Sequence, residues 1–147
     1  RIIPLHHERH LAACAHPAVD VLAHPYWFPC GYFLEGGYAW PMVDSMAMIP
    51  KSCIRELAAA SRETGTAIEI NAGSCLEFFC WPETFKRGYR DYLGELAAEG
   101  ALFSVGSDAH ALGQMPVIHA AWDVVTTLDL PADQLWHPRS APLNAAG

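Results

Sequence analysis

An α/β fold with parallel strands is predicted for this chain from two observations. Helical apolar periodicity alternates with short apolar runs, and glycines close the two central helical stretches just before the next run begins. The 147 residues, 52% of them hydrophobic, also suffice to bury one core.

Taken in order, residues 7–16 (HERHLAACAH) have helical character and stop at Pro17. Val19 to His24 read as a buried strand ending on His24. The stretch 25–49 carries Pro25, Pro29, Gly31, Gly36 and Gly37 among many aromatics, which argues against regular structure. Its Tyr26, Trp27, Phe28, Tyr32, Phe33, Tyr38 and Trp40 read as a layer packed over the mouth of the fold, with a substrate-covering lid as the alternative.

Pro50 suits the first turn of a helix whose inward positions Ile54, Leu57, Ala58 and Ser61 follow i, i+3, i+4, i+7 spacing, capped by Gly65. Ala67 to Asn71 then form a strand. The pattern repeats with a helix over 85–99, presenting Tyr89, Tyr92, Leu93 and Leu96, then Gly100, then a strand from Leu102 to Val105 running into Gly106-Ser-Asp-Ala-His110. A last helix over 115–128 presents Val117, Ala121, Val124 and Leu128. Three strands do not close a barrel, so a (β/α) barrel requires an N-terminal half or a partner chain to complete it. The whole of 1–147 reads as one unit with a frayed tail over 138–147, and the start at Arg1 in a His-rich segment points to a piece of something longer.

Nine basic residues against sixteen acidic ones give a formal charge of -7, with no Lys/Arg cluster to neutralise a row of phosphates, so nucleic acid is not an expected partner. Apolar runs stay far below the ~20 residues of a membrane span. The expected setting is soluble and cytoplasmic. Five cysteines (Cys14, Cys30, Cys53, Cys75, Cys80) contain no C-x-x-C pair, which leaves buried reduced thiols as the expectation.

The chemically informative feature is positional. His24 ends the first strand, Asn71 ends the second, and Asp108 and His110 follow the third. In parallel α/β folds the C-terminal strand edge is where loops converge and ligands bind. Imidazole nitrogen and carboxylate oxygen suit Zn, Mn or Fe, and D-x-H on a turn lets two side chains reach one region. A strand-end histidine can equally hydrogen-bond backbone, and an aspartate can cap a turn.

Asp20-Val-Leu-Ala-His-Pro25, Ile68-Glu-Ile-Asn71 and Val105-Gly-Ser-Asp-Ala-His110, in that order, resemble the motif series of the PHP (polymerase and histidinol phosphatase) superfamily. The resemblance runs from about residue 18 to 136 and includes the Leu-x-Leu-Pro-x-x-x-Leu-Trp segment after the last helix. It implies the C-terminal half of a distorted (β/α)7 barrel, incomplete at its N-terminal side, with up to three divalent metal ions in the intact family site. His24, Asp108 and His110 are the metal ligands it implies. Glu69 is then either an orienter of ligands or a paired interior charge. The family's opening H-x-H motif, its T-D-H-type histidine and its bridging glutamate have no counterpart in the sequence. His6, His7 and His10 lie upstream of the H-P motif, where the resemblance implies a further ligand histidine and makes one of them a candidate; their spacing is short, and solvent exposure is the expectation for them. His16, His119 and His137 carry no expected chemistry.

The implied activity is hydrolysis of a small phosphorylated substrate through metal-bound hydroxide, by a phosphoric ester hydrolase whose missing half is supplied. Bound metal lowers the pKa of its water, so no separate catalytic base is assigned. Two other readings stand beside it. One is a non-catalytic PHP-like module acting as a scaffold, or as a homodimer that covers the exposed sheet edge. The other is a different barrel hydrolase, such as an amidohydrolase, which G-S-D-A-H and E-I-N fit less well.

Overall fold

A computed structural model describes residues 2–27, 45–78 and 81–138 of the chain. Most of the aromatic stretch expected over 25–49, Cys30, Cys80 and the tail from 139 lie outside the described residues. Strands β1 (Val21–Leu22), β2 (Ala67–Asn71) and β3 (Phe103–Gly106) pair in parallel in the order β1-β2-β3. Helices α1 (Ile2–Cys14), α2 (Lys51–Thr64), α3 (Glu83–Ala98) and α4 (Ile118–Thr127) supply the packing layers. The α/β class expected from the alternating pattern is what forms, with a three-stranded sheet among the described residues.

Local sequence explains most element limits. Helix α1 begins at Ile2, earlier than expected, because Pro4 falls in the first turn, where the missing N–H costs no intrahelical bond. The earlier start changes which face is buried. Ile3, His7, His10, Leu11 and Cys14 follow helical spacing, and His7 is buried with only 6% exposure. The expected exposure of His7 is thereby corrected: it sits one turn along the same inward stripe as Ile3.

Helix α2 ends as its glycine dictates, with Gly65 in the left-handed conformation (φ 77°) and its N–H bonded to the Ser61 carbonyl. Ser61, on the inward stripe, is fully buried and satisfied. Its hydroxyl donates to the Thr66 carbonyl (2.8 Å) and accepts the Leu102 N–H (3.0 Å), so one side chain ties α2 to the entry of both β2 and β3. Thr66 does the same for β1, donating to the carbonyls of Cys14 and Val19.

Two elements are shorter than expected. Only two residues of the 19–24 run pair as β1, since His24 turns to φ 29° ahead of Pro25. The last helix begins at Ile118, preceded by a 3₁₀ segment (Leu112–Val117) that contains Pro116, whose ring and missing N–H are not accommodated in an α-helix interior.

The apolar face of the sheet, with Leu22, Ile68, Ile70 and Phe103 at 9% exposure or less, belongs to the same core as Leu57 and Ala58 of α2, Tyr89, Leu93 and Leu96 of α3, and Ala121 and Val124 of α4. By strand alternation the opposite face carries Val21, Glu69, Asn71, Ser104 and Gly106. A short parallel bridge of Leu135 to Phe103, with the Trp136 N–H on the Phe103 carbonyl (2.7 Å), extends the sheet beyond β3. Among the described residues no helix is long and apolar enough to cross a membrane.

His10 packs edge-on against Tyr26 at 4.6 Å, and its Nδ1 is buried with no hydrogen-bond partner among the described residues. Burial, then the neighbouring His6 and His7, lower its pKa from the ordinary 6.5 to about 4. Between those values the unfolded chain binds the proton and the folded chain does not. His10 therefore subtracts from stability progressively as pH falls from 6.5 to about 4, and does not do so above that window. The urea midpoint should drop across this range, and His10→Gln should flatten the drop; an unchanged slope in the variant would sink the assignment.

Candidate functional site

The site is built at the C-terminal edge of the sheet, where each strand delivers a polar residue to one connected network. From β2, Glu69 projects onto the open face and its Oε2 accepts two N–H groups: the backbone N–H of His24 at the end of β1 (2.9 Å) and the side-chain amide of Asn71 (3.1 Å). Asn71, fully buried, turns its Oδ1 to the Ser74 N–H (2.7 Å) and so caps the π-helical turn Ala72–Leu76. The Ser74 hydroxyl donates to Asp108 Oδ2, beyond β3. The chain of contacts His24, Glu69, Asn71, Ser74, Asp108 thus crosses all three strand ends.

Backbone geometry is unusual at both ends of this chain. His24 (φ 29°) and Asp108 (φ 52°) are non-glycine residues with positive φ. Such conformations cost about 1–3 kcal/mol each and persist where surrounding contacts impose them, which is typical of functional sites. π-Helical turns have the same association. Here the turn also approaches the strand after β3 closely: Gly73 donates its N–H to the Ser107 carbonyl (3.1 Å), and a Cβ at Gly73 would stand 2.6 Å from that oxygen. Gly106 plays the matching role in β3, because a Cβ there would overlap the Glu69 carboxylate.

The three residues expected as ligands are all mounted on this edge, but they do not come together equally. Asp108 Oδ1, the oxygen not engaged by Ser74, lies 3.9 Å from His110 Nε2. The His110 imidazole is 85% exposed, and its backbone N–H is held by Gln114 Oε1 (2.8 Å). His24 packs edge-on against Trp27 (centroids 5.0 Å apart). Among the described residues no group of three or more His, Cys, Asp or Glu side chains gathers to hold a metal ion. Of the three, Asp108 and His110 are the two whose side chains the structure brings near each other.

Several participants were not singled out by sequence reasoning. Ser74 bridges β2 to Asp108, and Trp81 fixes the Ser74 carbonyl through its indole N–H (2.8 Å). Tyr89, buried and with its pKa raised by desolvation, accepts the Asn71 N–H (3.1 Å) and donates to the Glu69 carbonyl (3.3 Å). Cys75, in the same turn, is buried and its thiol is held above its ordinary range, chiefly by desolvation. Position in E-I-N-x-x-S was the available signal for Ser74: a side chain three residues past a strand end on a tight turn. Tyr89 had none, since it reads as an ordinary inward helix position. Of the remaining histidines, His16 accepts the Ala18 N–H (3.2 Å), and His119 and His137 are exposed.

A cavity of about 410 Å³ bounded by Val21, Ser104, Val105, Trp122, Trp136 and His137 flanks the sheet near β3, and none of the three expected ligands lines it. Comparison with protein-family models, with curated proteins and with solved structures gives no match.

Because Gly106 makes room for Glu69, Gly106→Ala is expected to displace that carboxylate and to cost about 1–3 kcal/mol, as overpacking in a filled site does. Chemical denaturation would measure the cost, and loss of the downfield-shifted His24 amide resonance would report the displaced acceptor. A variant as stable as the parent with that resonance in place would refute the arrangement.

Proposed function

We propose that this chain carries the C-terminal half of a divalent-metal-dependent phosphoesterase of PHP type, with Asp108, His110 and His24 as its contribution to the metal centre. One observation carries the reading. His24 through its backbone N–H, Glu69, Asn71 and Asp108, from the H-P, E-I-N and S-D-A-H motifs, stand at adjacent ends of one parallel sheet and are joined through Ser74 by a continuous hydrogen-bonded network. A parallel sheet already places successive strand ends on one edge, so the support for the reading is the linkage of Glu69, Asn71 and Asp108 there through Ser74.

In this reading Ser74 occupies Asp108 Oδ2 and leaves Oδ1 for a cation beside His110. Glu69 orients both neighbours, holding the His24 backbone through its N–H and fixing the Asn71 amide that caps the turn under Ser74. A divalent cation held there supplies Lewis acidity toward phosphoryl oxygens. The remaining ligands, and the donors that would orient a small phosphorylated substrate, come from a segment or partner chain that completes the barrel.

The competing reading, a non-catalytic module serving as a scaffold or homodimer, draws on the absence of a three-ligand group among the described residues. Metal content separates the two. Purified chain equilibrated with Zn²⁺ or Mn²⁺ and freed of excess should retain metal stoichiometrically, and the Asp108→Ala/His110→Ala double variant, which removes two proposed ligands, should lose it. Hydrolysis of bis-p-nitrophenyl phosphate by the metal-loaded, completed protein should fall in parallel. Metal retention equal in parent and variant would overturn the proposal in favour of the scaffold.

A further inference from the structure

The turn that carries His24 is held in a conformation its own sequence does not favour. Residues 24–27 form a turn closed by the Trp27 N–H on the His24 carbonyl (3.0 Å), with Pro25 second and Tyr26 third. Tyr26 has φ 59°, a value glycine or asparagine takes readily at this place and a bulky aromatic does not. That conformation is unfavourable for such a side chain, so something outside the turn must impose it.

What imposes it is on α1 and α2. The Tyr26 side chain is almost completely buried, edge-on to His10 (4.6 Å) and to Tyr92 of α3 (6.2 Å), and its hydroxyl meets His7 Nδ1 at 2.6 Å. The other nitrogen, His7 Nε2, meets Glu56 Oε2 of α2 at 3.0 Å. A carboxylate only accepts, so Nε2 carries a proton and donates to Glu56, while Nδ1 and the phenol share the second hydrogen bond. The contacts run without a break from the buried Tyr26 hydroxyl through His7 to the half-exposed Glu56 carboxylate.

We infer that Glu56, His7 and Tyr26 form a positioning relay that fixes the turn presenting His24 to the strand-end site. The residues touch His24 only through the backbone they constrain, and none of them belongs to the network of Glu69, Asn71 and Ser74. His24 is thereby located from two sides: its N–H by Glu69, its carbonyl side by a turn that the relay holds at positive φ. Removing the relay frees Tyr26 to return to negative φ, which breaks the turn and swings the imbalance onto the His24 imidazole and its Trp27 contact. As far as the relay serves metal binding, the inference rests on the reading of His24 as a ligand; as a determinant of His24 geometry it stands without it.

The test uses Tyr26→Phe, which deletes the hydroxyl and keeps the ring, together with Glu56→Ala and Glu56→Gln on the exposed end. The first readout is the His24 imidazole ¹H–¹³C resonance in metal-free protein, identified by its absence in His24→Gln. The second is Zn²⁺ affinity by calorimetry. Tyr26→Phe should shift or broaden the His24 signal and weaken Zn²⁺ binding about 10-fold, the scale set by partners that orient a ligand without touching the metal. Glu56→Ala should move both in the same direction, and Glu56→Gln, which retains an acceptor oxygen for Nε2–H, should restore both toward the parent. An unchanged His24 resonance in Tyr26→Phe and Glu56→Ala overturns the relay. If the parent binds no Zn²⁺, the proposed function fails, and the His24 resonance alone still decides the relay.

Discussion

The organisation of this molecule depends on a carboxylate placed inside a parallel sheet. Glu69 lies in the central strand, where both neighbours are strands and the side chain has no route to bulk water other than the open face and the C-terminal edge. Burying such a group is tolerable only when N–H or cationic donors replace its hydration. The donors found are the His24 backbone and the Asn71 amide, and accommodating them shapes the rest. β1 must stop short of His24, whose N–H turns toward Glu69, β3 must leave room for the carboxylate with a glycine, and Asn71 must turn its oxygen to the following turn.

The strain at the edge is distributed over the same contacts. His24, Tyr26 and Asp108 all hold positive φ, and each is tied by a hydrogen bond from a different part of the chain: Glu69, His7 and Ser74 respectively. The fully buried Leu57, Leu93, Leu96 and Ile68, which pack α2, α3 and β2 together, lie in the core that offsets this cost. The stiff base is set by polar knots as well as apolar packing, with Ser61 and Thr66 locking the N-terminal ends of the strands while the C-terminal ends carry the strained turns.

The sequence by itself determined the elements whose cause is local. Periodicity marked the inward faces of α2 and α3, Gly65 ended its helix through its left-handed conformation, and the apolar run 67–71 formed the central strand at the expected residues. The same order of motifs put His24, Asn71 and Asp108 at the ends of successive strands, because in a parallel sheet chain direction alone decides which edge a strand end reaches. Tertiary structure decided what depends on contacts between distant residues. Ser74 became a bridge to Asp108, 34 residues away in sequence, and His7 became buried because Tyr26 and Glu56 supply both partners its ring requires. Conformations such as φ 59° at Tyr26 run against local preference and exist only under imposed contacts, so no reading of the turn's own residues could have anticipated them.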